Sequence, residues 1–248
     1  MLTPPRSREM ELIDVGAPSR EDLVANLQDM SVANRLMGTS ARVVGLLQRL
    51  LADGATVRTL SLLDIGTGGA DVPLDVIRWA DRAGVGMRVM VSDVSGEVLS
   101  IAKDNVLHHV KNHCIQAPVL LRHDGTRVPF EASSVDLVTC CNTLHHLARD
   151  EAVALLREAE RVSRLGFVVL DVRRSLFTYW ASRLLATFLC RHRLSRHDGP
   201  LSVLRSYTRS EMTMLATEAA IPCFEVHEYL WHVVVLRDKG AARAGGCA

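Results

Sequence analysis

Between residues 60 and 170, short apolar runs alternate with longer segments of helical period. The runs are LSLLDI at 60–65, MRVMV at 87–91, VLL at 119–121, VDLVTC at 135–140 and GFVVL at 166–170. Helical periodicity covers about 71–83, 95–112 and 149–162. Strands buried on both faces read as short continuous apolar runs, and their alternation with helices predicts an α/β fold: a mostly parallel, Rossmann-like sheet with helices on both faces. The flanks add to this frame. Residues 20–58 carry N-terminal helices, with Leu23, Leu27, Met30, Val44, Leu47, Leu50 and Leu51 at three- and four-residue steps. Residues 172–206 break the rhythm and predict a helical lid insert: an amphipathic helix from Ser175 to Cys190, then a loop of basic and turn residues from Arg191 to Pro200. A helix at 209–220 and an extended stretch at 223–237 follow. Residues 1–19 are expected to be a flexible arm and 239–248 a disordered tail, leaving one domain over 20–238.

A formal net charge of +1 argues against a nucleic-acid surface, which needs a clear basic excess. The six cysteines form no CxxC pair, so a reduced, cytoplasmic setting is expected, with Cys140 and Cys141 as buried thiols. The N-terminus lacks the apolar core of a signal peptide. No apolar run approaches the roughly 20 residues that span a bilayer, so stable membrane insertion is not expected.

Three acidic sites fall at the ends of predicted strands. The first run leads into Asp64-Ile65-Gly66-Thr67-Gly68-Gly69-Ala70-Asp71, a glycine turn that lets a ligand approach the backbone. A dinucleotide fingerprint GxGxxG requires glycine at 71, where this chain has Asp71. A carboxylate there would compete with a pyrophosphate for the helix N-terminus. Asp93 lies 27 residues after Gly66, where it is placed to accept from both hydroxyls of a ribose or to cap the next helix, a task Ser95 could share. Asp124-Gly125 follows the third run and reads either as an adenine contact or as a plain turn.

Taken in order, DIGTGGADVP, VSDVS, HDGTRVPFEASSVDLV, NTLHHL and FVVLD resemble the class I methyltransferases that use S-adenosylmethionine (SAM). The resemblance implies that Asp64, Gly66 and Gly68 hold the methionine end of SAM, Asp93 its ribose and Asp124 its adenine, with Arg35, Val94, Gly125 and Asn142 among the cofactor contacts. Ala70 departs from a third glycine common in the family. LHHL after the fourth strand resembles small-molecule O-methyltransferases acting on sugars and polyketides, some of which pair the first histidine with an Asp ending strand five; the matching residues are His145 and Asp171. NRLMG at 34–38 and RHDGPLS at 196–202 are similar to methyltransferases found beside polyketide synthases.

These residues imply a mechanism. Methyl transfer from SAM is an in-line displacement, so the protein mainly aligns the reactants. A phenol or alcohol must also lose its proton, and histidine, with an ordinary pKa near 6.5, is a base at neutral pH. His145 is expected to be that base, oriented by Asp171, with His197 as the rival; the alternative for His145 is a purely structural role. The aromatic insert is expected to cover the acceptor, to form a homodimer contact, or to rest on a membrane with a lipophilic quinol as acceptor. No HExxH or CxxC spacing suggests a metal. A ring C-methyltransferase, a nicotinamide oxidoreductase on a similar sheet and a catalytically silent SAM-binding module remain the alternatives.

Overall fold

The computed structural model describes residues 3–52, 59–113, 116–190 and 192–240. Its strands are β1 (Leu60–Ile65), β2 (Met87–Asp93), β3 (Val119–Arg122), β4 (Val135–Cys141), β5 (Ser163–Val172), β6 (Phe224–Glu228) and β7 (His232–Asp238). They form one sheet in the order β3-β2-β1-β4-β5-β7-β6. The first five pair in parallel. The extended stretch at 223–237 is a hairpin whose second arm, β7, slots antiparallel between β5 and β6.

Alternate residues of the central strands feed two cores. Leu62, Leu137, Val168, Leu170, Val234 and Leu236 face the helices α3 (Thr39–Leu51), α4 (Asp71–Arg82) and α5 (Gly96–His113). Leu63, Val138, Phe167, Val169, Val233 and Val235 face α6 (Arg149–Val162) and α9 (Arg209–Glu218). Both faces of the sheet are therefore dry, which explains the unbroken apolar runs. Strand order reverses between β1 and β4, so a crevice opens at their carboxyl ends, where ligands bind in sheets of this kind.

The remaining helices close over that crevice. They are α1 (Leu12–Val15), α2 (Arg20–Met37), α7 (Leu176–Phe188) and α8 (Arg193–Arg205). Ser19 and Asp22 cap α2 reciprocally, and Gly38 at φ 70° ends it before α3 begins. No helix is long and apolar enough to cross a membrane among the described residues.

Two expectations need correction. The segment read as a flexible arm is docked: the Ser7 amide donates to Leu204 O at 2.9 Å, Arg6 donates to Arg205 O at 2.6 Å, and Glu11 is only 2 % exposed. The predicted loop of 191–200 is helical from Arg193 onward, with Pro200 inside α8. Its turn-forming composition is overridden by packing against α1, α2 and α7. Residues 241–248 of the expected tail lie outside the described residues. Cys140, Cys141 and Cys190 are free, whereas Cys223 is disulfide-bonded, which a fully reduced set of thiols does not anticipate.

Candidate active site

At the end of β1 the chain turns through Gly66 at φ 70° and Gly68 at φ 52°. A Cβ on Gly66 would stand 2.3 Å from Thr143 Oγ1, so the turn and the loop after β4 touch directly. Ala70 also takes a left-handed conformation, φ 64°, where the related pattern prefers glycine.

Beneath this turn lies a niche of about 40 Å³ lined by Asp64, Asp71, Asn34 and Asn142. Asp64 is buried and accepts from Thr139 Oγ1 at 2.7 Å. Burial pushes its carboxyl up to about 7, against the pull of hydrogen bonds from Thr139 and Thr67, and the charges of Asp71 and Asp93 add to the rise. Asp71, at the N-terminus of α4, accepts from Asn34 Nδ2 at 3.0 Å, and burial raises it as well. Neither carboxylate makes a salt bridge among the described residues. Asn142, at φ 52°, donates Nδ2 to Asn34 Oδ1 at 2.9 Å, while its own buried Oδ1 has no hydrogen-bond partner. Two acids and an orphan acceptor suit a cation that donates hydrogen bonds, such as an ammonium group. They would repel a pyrophosphate, which removes the dinucleotide alternative.

The niche shares Asn34, Gly66, Gly68 and Asn142 with a cavity of about 890 Å³ at the carboxyl ends of the strands. Gly66, Gly68, Asp93, Val94, Asp124 and Gly125 line one part of it. Asp93 accepts from the Gly68 amide at 3.2 Å and the Ser95 amide at 3.0 Å, and Ser95 Oγ accepts from the Val98 amide. Ser95 therefore shares the capping, as the sequence allows. Asp124 is exposed and accepts from the Thr126 amide at 2.8 Å, so it forms the turn and faces the cavity at once. Arg35, expected among the cofactor contacts, is exposed and lines neither space; its charge acts on Asp71 from outside. Its neighbour Asn34 is the residue inside.

His145 sits in the 3-10 turn Leu144–His146 after β4, and Asp171 near the end of β5. Asp171 grips His145 twice: Oδ2 accepts from the His145 backbone amide at 2.9 Å, and Oδ1 lies 2.7 Å from Nδ1. That leaves Nε2 on the cavity side, 3.7 Å from Glu11 Oε1. Burial pushes Glu11 up to about 7, opposed by the charge of His146. Arg205 fixes the whole turn, donating Nε to His145 O and a terminal nitrogen to His146 O, both at 3.1 Å. Its Nε lies 3.6 Å from Glu11 Oε1.

His197 takes no part in this cluster. It is half-exposed, pairs through Nδ1 with Asp198 at 2.8 Å, and does not line the cavity. Asp198 is the half of RHDGP that lines the cavity: its two oxygens accept from the amides of Leu12 and Ile13 at 2.9 and 3.0 Å and so hold α1, with Glu11, over the cavity. Glu11 gave no sequence signal, because a carboxylate in an N-terminal segment has no period to mark it; Asp198 lies inside RHDGPLS, and only packing decides that it rather than His197 lines the cavity. Glu11, His145 and His146 each present a ligand atom within 4.8 Å of the others, the group among the described residues that would suit a divalent cation.

Comparison with known proteins agrees with this fold. Residues 63–170 match the model of a methyltransferase domain, and no curated protein matches. Solved structures resemble the fold at low identity. The plantazolicin methyltransferase BpumL in complex with S-adenosylhomocysteine (SAH) is 11% identical, with 88% of this chain and 95% of that chain covered and a TM-score of 0.61. Magnesium protoporphyrin IX methyltransferase from Synechocystis PCC 6803 with bound SAH is 15% identical, with 80% and 81% covered and a TM-score of 0.54. A SAM-dependent methyltransferase from Aquifex aeolicus is 16% identical, with 76% and 87% covered and a TM-score of 0.50. The segment from residue 63 to residue 170, with its glycine turn and strand-end acids, is a methyltransferase domain, and the chain is an enzyme whose cofactor is S-adenosylmethionine.

Proposed function

We propose that the chain methylates a hydroxyl of a phenolic or polyketide-type small molecule, with His145 as the base and Asp171 as the residue that orients it. The double grip of Asp171 on His145 carries this reading. A carboxylate on Nδ1 selects the tautomer with its proton there and leaves the Nε2 lone pair free towards the cavity. An acceptor hydroxyl presented to Nε2 would give up its proton, and Asp171 would stabilise the imidazolium that results. When bound, SAM supplies the electrophilic methyl group. Asp64, Asp71 and Asn142 would hold its ammonium end, Asp93 its ribose, and Asp124 with Gly125 and Val94 its adenine. The names of two structural neighbours, plantazolicin and magnesium protoporphyrin IX methyltransferases, support an acceptor of small-molecule size.

The test is kinetic. His145→Ala is expected to lower turnover by about 10²–10⁴-fold while SAM affinity, measured by calorimetry, stays as in the wild type. Asp171→Asn should also lower kcat and alter the pH–rate profile, because the tautomer is no longer held. A chelator should leave turnover unchanged; loss of activity restored by a divalent ion would reassign Glu11, His145 and His146 as ligands. Wild-type turnover in His145→Ala would sink the base. Product NMR separates methyl on oxygen from methyl on ring carbon, which the same base would serve.

A further inference from the structure

Helix α7 has its polarity reversed for a surface helix. The side towards the protein carries small and weakly polar residues, Thr178, Ala181, Ser182 and Ala186, which roof the cavity together with Leu185. The outer side repeats large apolar residues at every fourth position: Trp180, Leu184 and Phe188 are 63, 62 and 75 % exposed, and Phe177 flanks them. A helix against water alone would show the opposite pattern. The apolar surface continues round the rim of the cavity. The Phe177 ring lies 5.4 Å from that of Trp231, which lines the cavity, and Leu230 beside it and Leu36 of α2 are exposed.

Charge indicates what covers this face. Residues 172–197 contain six arginines and no Asp or Glu, in a chain whose net charge is only +1. Arg173 and Arg174 are paired inward with Glu228 and Glu211. Arg183, on the edge of the apolar stripe, and Arg196, beside the C-terminal end of α7, are exposed and make no salt bridge among the described residues. An aromatic and aliphatic stripe edged by arginines suits the interface of an anionic bilayer. The rings enter the acyl boundary, and the guanidinium groups stay with the phosphates.

We propose that the outer face of α7 rests on an anionic lipid surface and that a lipophilic acceptor passes from that surface under α7 into the cavity. The second half rests on the reading of the cavity as the acceptor site; the first does not. Flotation of the full chain with vesicles tests it without any turnover. Binding is expected to phosphatidylcholine vesicles that contain phosphatidylglycerol, to be much weaker with phosphatidylcholine alone, and to fall with added salt. The double variant Leu184→Glu, Phe188→Glu should reduce binding at least tenfold, and Arg183→Ala and Arg196→Ala about fivefold each. Unchanged SAM affinity shows that these variants are folded. His145→Ala should float as the wild type does, so failure of the base leaves this result intact. No flotation with either vesicle would overturn the proposal. So would a dimer in solution that Leu184→Glu dissociates, because a second copy would then cover the face.

Discussion

The carboxyl of Asp64, near the end of β1, has no positive partner among the described residues, and burial pushes it up to about 7. The sign of the consequence follows. A folded-state pKa above the ordinary value means that the ligand-free protein binds an extra proton between that value and about 7, so its stability falls as pH rises through this window and is level above it. SAM affinity should run the other way, because the ammonium needs the ionised carboxylate. Calorimetry is expected to show affinity rising as pH approaches about 7, by up to about tenfold per unit, with a plateau beyond. A flat profile would mean that Asp64 is already ionised in the free protein. Asp64→Asn should lose SAM binding and melt at higher temperature than the ligand-free wild type at pH above about 7. The bare fold does not favour an acid at this place, which is the energetic pattern expected of a binding residue.

At the scale of elements, β5 does two jobs. It pairs in parallel with β4 and antiparallel with β7, and it carries Asp171 into the crevice. The close approach of β7 explains Gly166, where a Cβ would stand 2.0 Å from Arg237 O. Gly166→Ala is expected to destabilise by on the order of 3 kcal/mol in denaturant unfolding. Turnover should fall with it, since Asp171 shares the displaced strand. An unchanged midpoint would show that the hairpin can shift to make room. α8 shows how weak local composition can be. Its residues Arg193–Arg205 include a glycine and a proline, yet His192 caps its start and its side chains bind three different parts of the chain: Ser195 accepts from Asn26, Asp198 holds α1, and Arg205 holds the histidine turn.

Across the whole molecule, the N-terminal segment is a wall of the site. Arg205 donates to Glu9 O, Arg6 donates to Arg205 O, and the Asp198 carboxylate accepts from the Leu12 and Ile13 amides at the N-terminal end of α1. Removing Asp198 should release this wall without altering the niche under the glycine turn, whose lining does not include Asp198. Asp198→Ala is therefore expected to raise the KM for acceptor about tenfold while SAM affinity is unchanged. Hydrogen exchange over residues 7–16 should rise with it. Equal losses in both affinities would place the N-terminal segment in general stability instead.

The apolar rhythm of 60–170 determined the layered parallel sheet, and the spacing of Asp64, Gly66, Gly68, Asp93 and Asp124 marked strand ends that border the niche and the cavity. Such signals are legible because strand period, glycine turns and strand-end acids are local in the chain. The pairing of His145 with Asp171 was implied by the likeness of LHHL to small-molecule O-methyltransferases, and the fold sets the histidine turn after β4 beside the end of β5. Tertiary structure alone decided that Asn34 rather than Arg35 enters the niche, because one step along a helix turns a side chain by about 100° and only packing sets the phase. It alone decided that Glu11 faces His145, that Asp198 rather than His197 lines the cavity, and that α7 turns its aromatic side outward. Each of these joins residues far apart in the chain through contacts with no period of their own. The glycine and proline of α8 point the wrong way until α1, α2 and α7 are packed around it.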